Sequence, residues 1–232
     1  MQLPPLAPPP ELIKIPPADL VALDDLVGKY PLKVDLVYAR GDHPRNIFKT
    51  AIYRPDAKMW AHKDLARVII RAAEICFART GWMFEIKDCL RTVEAQEKMR
   101  QTDIVKRNPH WLQEPGRLLS PPGLGGHPRG MAVDIVLLDA IGHEIDMGTE
   151  FDHLSEDRTN NPAARSYLKF PENILSNRRV LEDAMLDAGK ECAMEIYPLP
   201  QEWWDFRFLP EYTKRFAPLC DAELLPPMRM TL

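Results

Sequence analysis

Gly126-His127-Pro128-Arg129-Gly130-Met131-Ala132-Val133-Asp134-Ile135-Val136-Leu137-Leu138 is the stretch on which the reading of this chain turns. From Met131 to Leu138 it is an apolar run of strand length, predicting a strand buried on both faces. One acid, Asp134, interrupts it. An ionised carboxylate in such a place costs on the order of several kcal/mol unless it is paired or bound to a cation. His127 stands seven residues earlier, where a Gly/Pro-rich loop hands over to the strand. Downstream, Glu202-Trp203-Trp204-Asp205-Phe206 sets two more acids among aromatic residues. An imidazole and several carboxylates are the inventory of a hydrolytic metal site.

Plainer readings stand beside that one. His127 alone could cap a turn, and Asp134 alone could be a structural acid held by backbone amides. Glu202 and Asp205 are three residues apart, an odd step that would put them on opposite faces of a regular strand. For both to reach one centre, Glu202 must lie in the turn before the strand, and Pro198 and Pro200 favour such a turn. The bare spacing also fits a solvated acid next to two core tryptophans.

Outward from these segments the pattern is mixed. Leu65, Ile69, Ala72, Ala73, Cys76 and Phe77 recur at helical spacing over residues 63–79, and Gly81 supplies the stop. Residues 82–89 alternate as a strand. A second, more polar helix is predicted over 93–105 with Thr92 as its N-cap. Residues 108–128 read as a long functional loop. Residues 131–139 and 144–147 read as a hairpin turning around Gly142. A helix over 177–187 ends at Gly189, and strands over 193–197 and 203–208 complete the core. Helices alternating with hairpins predict a single α+β domain around a mostly antiparallel central sheet, flanked by helices.

Composition bounds the rest. A chain of 232 residues can bury a substantial core, and 45% hydrophobic with 28% charged residues is ordinary for a globular protein. A net charge of −4 without a basic cluster argues against a nucleic-acid partner. Cys76, Cys89, Cys192 and Cys220 are widely spaced with no CxxC pair, which predicts free thiols in a reducing, cytoplasmic setting. The first residues lack the basic start and apolar core of a signal peptide. No run of about 18 apolar residues exists to span a membrane. Seven of the 23 prolines precede residue 18. Residues 1–18 therefore read as a Pro-rich arm, 19–220 as the folded domain and 221–232 as a C-terminal tail. Nothing in the composition sets the oligomeric state.

Five segments in order resemble a known family. They are Asp35-Leu36-Val37-Tyr38-Ala39, Asp88-Cys89-Leu90-Arg91, His127-Pro128-Arg129-Gly130-Met131-Ala132-Val133-Asp134, Met147-Gly148-Thr149-Glu150-Phe151-Asp152 and Glu202-Trp203-Trp204. Each alone is weak; all five together, spread over residues 35–208, are specific. The chain resembles the D-alanyl-D-alanine dipeptidases of the vancomycin-resistance type, zinc peptidases that share a fold with D,D-carboxypeptidases and Hedgehog amino-terminal domains. The resemblance implies that His127 and Asp134 are metal ligands, with Glu202 the general base that later protonates the leaving amine. It implies that Arg91 stabilises the oxyanion and that Asp152 pairs with the free α-amine of a dipeptide. Asp88 would orient Arg91 or the substrate, and Tyr38 would lie in the substrate site. The implied reaction is hydrolysis of D-alanyl-D-alanine or a similar dipeptide, linked to peptidoglycan precursor metabolism.

The chain departs from the family at three positions. Where Glu-x-x-His is usual, it reads Glu202-Trp203-Trp204-Asp205, so the third ligand becomes Asp205. Gly125 replaces a serine, and Arg91-Thr92 replaces Arg-Pro. Two carboxylates would cancel the charge of Zn²⁺, raise the pKa of its water, and tilt preference toward Mn²⁺ or Fe²⁺. Two other functions compete with that reading, the first favoured by the changes at Asp205 and Gly125. One is a non-catalytic descendant that binds a peptide or cell-wall fragment. The other is a D,D- or L,D-carboxypeptidase, against which Asp152 argues, because a site that neutralises a free amine penalises extended substrates.

Overall fold

The structure is a computed structural model and describes residues 11–115 and 117–231. In chain order its strands are β1 (Leu20–Ala22), β2 (Leu32–Val34), β3 (Trp60–His62), β4 (Met83–Asp88), β5 (Ala132–Leu138), β6 (Ile196–Pro198) and β7 (Asp205–Phe208). The helices are α1 (Lys63–Thr80), α2 (Val93–Arg100), α3 (Asp103–Arg107), α4 (Glu172–Glu191) and α5 (Pro210–Thr213). Five strands form one sheet in the order β2-β4-β5-β7-β6, while β1 and β3 pair separately. Only β2–β4 is parallel; the other neighbours are antiparallel. This is the α+β architecture with a mostly antiparallel sheet that the pattern predicts.

β5 is the central strand, and all seven of its residues are buried. The helix predicted over 63–79 is α1. The His62 side chain accepts from the Asp64 amide at its start, and Gly81 ends it in the left-handed region at φ 75°. Its inward face carries Leu65, Val68, Ile69, Ala72 and Cys76, whereas Phe77, counted with that stripe, is 47% exposed. α1 packs along α4 and touches β4, while α4 reaches β6.

Local chemistry explains where the observed boundaries differ. The helix predicted over 93–105 divides into α2 and α3. The Thr102 hydroxyl and amide both return to the Met99 carbonyl, a local bond that competes with helix propagation. The Thr92 hydroxyl caps α2 through the Ala95 amide, as predicted. α4 is longer at both ends than 177–187, and Gly189 lies within it rather than ending it. A Cβ there would sit 2.7 Å from the Met194 carbonyl, so glycine permits a close crossing. The reversal comes at Ala193, with φ 54°. The hairpin after β5 turns at residues 139–143, but its return strand is reduced to one bridge, Leu138 with Glu144. β7 starts at Asp205, two residues later than predicted, because Trp203 and Trp204 belong to the preceding turn.

Residues 1–10 of the proline-rich arm lie outside the described residues. Ile13 bridges in parallel to Phe216. Residues 221–231 pack on the domain: Met230 is fully buried, and the Asp221 carboxylate accepts from the Met230 and Thr231 amides. Cys76, Cys89, Cys192 and Cys220 are all free thiols. No helix among the described residues is long and apolar enough to cross a membrane.

Candidate active site

The register of the sheet builds the site. Asp88 on β4 is paired with Asp134 on β5, and Asp134 with Asp205 on β7. Strands lie about 4.8 Å apart, so three carboxylates stand in a row across the sheet. The Asp88–Asp134 pairing depends on a register shift after Ile86. Like charges directly opposite one another are destabilising, so each member needs a partner.

The two outer aspartates have one. Asp88, fully buried, accepts from Arg91 Nε at 2.9 Å and Nη2 at 2.5 Å through Oδ2, and from the Tyr53 hydroxyl at 2.6 Å through Oδ1. Asp205 accepts from Arg207 Nε at 2.8 Å through Oδ1, and its Oδ2 contacts Arg207 Nη2. The middle one does not. Asp134 is 2% exposed, and its Oδ1 has no hydrogen-bond partner. Its nearest cation, Arg91 Nη2, is 3.7 Å from Oδ2. Burial pushes the Asp134 carboxyl well above its ordinary range, and Asp205 and Asp88 push it further. The opposite holds at Asp205: burial would raise it, but the Arg207 guanidinium holds it far below.

His127 closes the site from above the strand. It lies in a short 3-10 turn, His127–Arg129, terminated by Gly130 at φ 61°. A Cβ on Gly130 would come within 2.8 Å of the His62 amide nitrogen, which donates to the Gly130 carbonyl, so only glycine fits. His127 Nδ1–H donates to the Cys89 carbonyl at 2.8 Å. That bond fixes the tautomer and leaves Nε2 facing Asp134 Oδ1 at 3.7 Å and Asp205 Oδ2 at 3.5 Å. Asp88, His127 and Asp134 also offer ligand atoms within 4.8 Å of one another. Asp88 Oδ2 is 3.9 Å from Nδ1, the nitrogen already committed to Cys89, and accepts twice from Arg91, while Oδ1 accepts from Tyr53. Asp205 Oδ2 approaches His127 Nε2 at 3.5 Å but stands outside that mutually close set, and both of its carboxylate oxygens are contacted by Arg207. A buried carboxylate oxygen without a hydrogen-bond partner, beside an imidazole and further carboxylates, fits a divalent cation.

The remaining residues named from the sequence gather here too. Tyr38, Arg91, His127, Asp134, Asp152, Glu202 and Asp205 all line one cavity of about 450 Å³; Asp88 sits behind Arg91 and does not. Asp152, at φ 59° and half-buried, receives the Tyr38 hydroxyl. Burial lifts its carboxyl to about 7 despite that bond and the neighbouring Arg91. Glu202 lies in the turn ahead of β7, as its spacing from Asp205 requires, with its amide donating to the Leu199 carbonyl. Burial, reinforced by Asp205, raises Glu202 to about 8.

Three contributors escaped the sequence reading. Arg165 braces the Glu202 turn by donating to the carbonyls of Leu199, Trp203 and Asp205. Tyr53 completes the hold on Asp88. Arg207 grips both oxygens of Asp205. Only Arg207 had a readable signal: it is two residues from Asp205 and so shares its face of the strand.

Known proteins resemble the chain in sequence. The D-alanyl-D-alanine dipeptidase of Escherichia coli (strain K12) is 28% identical over 192 residues, covering 82% of this chain and 86% of that protein. A D-alanyl-D-alanine dipeptidase of Synechocystis sp. (strain ATCC 27184 / PCC 6803 / Kazusa) is 33% identical over 102 residues, 41% of this chain and 38% of its own. The crystal structure of the Serratia marcescens L-Ala D-Glu endopeptidase ChiX aligns over 66% of this chain and 84% of that one, at 18% identity and a TM-score of 0.38. The family model for the M15 peptidases, described as D-ala-D-ala dipeptidase, matches residues 18–217, nearly the whole described domain. On that match the chain belongs to the D-ala-D-ala dipeptidase family of M15 peptidases.

Proposed function

We propose that this chain is a metal-dependent dipeptidase that hydrolyses D-alanyl-D-alanine or a similarly small dipeptide, in peptidoglycan precursor metabolism in the cytoplasm. The observation that carries the reading is the orphaned Asp134 Oδ1, buried 3.7 Å from a His127 Nε2 that Asp205 Oδ2 also approaches, at 3.5 Å. His127, Asp134 and Asp205 would hold Zn²⁺, with Mn²⁺ or Fe²⁺ as alternatives favoured by two oxygen ligands. Such a cation supplies a Lewis acid and lowers the pKa of water at the site.

The chain's own groups do the rest. Glu202, at the cavity wall three residues before β7 begins, takes the proton of the attacking water and returns it to the leaving amine. Arg91, fixed by Asp88 and stacked 5.7 Å from the Tyr38 ring centroid, presents a permanent positive charge to the developing oxyanion. Asp152, braced by Tyr38, pairs with the substrate ammonium. Pairing at that point limits the chain length accepted, because a blocked or extended amino end leaves the half-buried Asp152 carboxylate without its partner.

Protein stripped of metal should cleave no D-alanyl-D-alanine, and one equivalent of Zn²⁺, Mn²⁺ or Fe²⁺ should restore cleavage while the N-acetylated dipeptide stays intact. If none of the three metals gives hydrolysis, the enzymatic reading fails. Asp152 adds a pH signature. Only its ionised form pairs with ammonium, so KM should rise as pH falls through about 7. In Asp152→Asn that pH dependence should vanish, with KM raised by about 10- to 100-fold, the worth of a charge-assisted hydrogen bond of ~1.5–3 kcal/mol. An unchanged KM would remove Asp152 from substrate recognition.

A further inference from the structure

The chemistry above has no use for Arg207, yet its guanidinium lies in the cavity wall. Asp205 and Arg207 project from the same face of β7, while Phe206 and Phe208 fill the core behind. The contact is a two-point fork, Nε to Oδ1 at 2.8 Å and Nη2 to Oδ2, on a carboxylate side chain that is 1% exposed. A carboxylate oxygen carries two lone pairs, so Oδ2 can accept from Arg207 and still face His127 Nε2 at 3.5 Å. On the other side of β5, Asp88 at the end of β4 is paired with Arg91 in the same way. The cluster therefore has two neutralised aspartates flanking one bare aspartate.

We propose that Asp205 and Arg207 act as a single, net-neutral ligand unit: Arg207 is a positioning residue that cancels the charge Asp205 brings to the metal site. A His/Asp/Asp set then presents the same net charge as two neutral ligands and one carboxylate. The inference rests on the reading of Asp205 as a ligand. It also goes beyond it, since the compensation could be absent while the ligand is real.

The test is a charge cycle read without substrate. Native protein, Arg207→Gln, Asp205→His and the double variant are loaded with Co²⁺, and the visible spectrum is followed against pH, with Zn²⁺ affinity measured in parallel. Arg207→Gln should keep one metal, bound as tightly or more so, because a repelling cation is gone. Its spectral midpoint should move up by about one to two pH units, the effect of a unit charge a few ångströms away. Asp205→His, which leaves Arg207 uncompensated, should move the midpoint down. The double variant, neutral again, should lie near native, and Arg207→Lys should too. Thermal unfolding of each protein identifies any variant that fails to fold, leaving Arg207→Lys and Arg207→Gln as the conservative pair. The proposal is overturned if Arg207→Gln loses its metal, which would make Arg207 a mere prop, or if its midpoint matches native. Native protein that takes up neither Co²⁺ nor Zn²⁺ would overturn the metal reading itself, a separate result seen before any variant is measured.

Discussion

Glu202→Gln lowers turnover of D-alanyl-D-alanine by about 10²- to 10⁴-fold, the usual worth of a positioned general base, while metal stoichiometry stays at one. The amide fills the same space at the end of the Leu199–Glu202 turn, and the Arg165 bonds that hold this turn run to backbone carbonyls, so geometry survives. What is lost is the site that accepts the proton. The pH dependence sharpens the expectation. In the metal-free protein, burial and Asp205 lift Glu202 to about 8, so at neutral pH it is mostly protonated. A base must be ionised to act, so activity rises with pH through this group's pKa. A bound divalent cation favours the carboxylate and draws that limb to lower pH. The acid limb of the native pH–rate profile should disappear in Glu202→Gln. Loss of metal in step with activity would make Glu202 a ligand and leave the base unassigned.

How much of this was legible in the sequence follows from the range of the interactions. A buried strand is a local pattern, so residues 131–138 could be read directly, and with them the anomaly of Asp134. The end of α1 is local too, because Gly81 is the residue a left-handed cap requires. The Glu202 turn could be inferred from parity alone: three residues is an odd step, and two prolines precede it. The row of three aspartates could not be read. It depends on cross-strand register, including the shift in β4 that brings Asp88 opposite Asp134. The braces from Tyr53, 35 residues from Asp88, and Arg165, 40 residues from Asp205, are equally long-range. The length of α4 was missed for another reason. Gly189 reads as a terminator by local preference, but its missing side chain serves a crossing with Met194 instead. Arg207 lay in plain view two residues from Asp205; strand alternation alone would have placed both on one face.

Asp134→Asn should invert the stability order of the protein according to whether metal is present. Without metal, Asp134 is a buried acid with one oxygen unpartnered and Asp88 and Asp205 on either side. An amide of the same shape carries no charge to desolvate. Removing such an uncompensated group is worth roughly 1–3 kcal/mol, and each kcal/mol is about 2–4 °C in Tm for a chain of this size. The metal-free variant should therefore melt several degrees above metal-free native protein. The sign with pH follows from linkage. The unfolded chain releases this proton near pH 4, roughly the ordinary aspartate range, while the folded chain holds it to higher pH because burial raises the group. Between those two values the folded state binds more protons, so metal-free native protein loses stability as pH rises. The advantage of the variant should be near zero below about pH 4 and should grow until the folded carboxyl has ionised. Saturating Zn²⁺ reverses the order. Native protein gains the binding free energy, about 4 kcal/mol at a thousandfold excess over Kd, whereas Asp134→Asn has lost an anionic ligand and gains little. Melting curves of both proteins across pH, with and without Zn²⁺, contain the whole comparison. A metal-free variant less stable than native would mean that Asp134 is already satisfied by its neighbours, and the argument for a cation at this point in the sheet would fail.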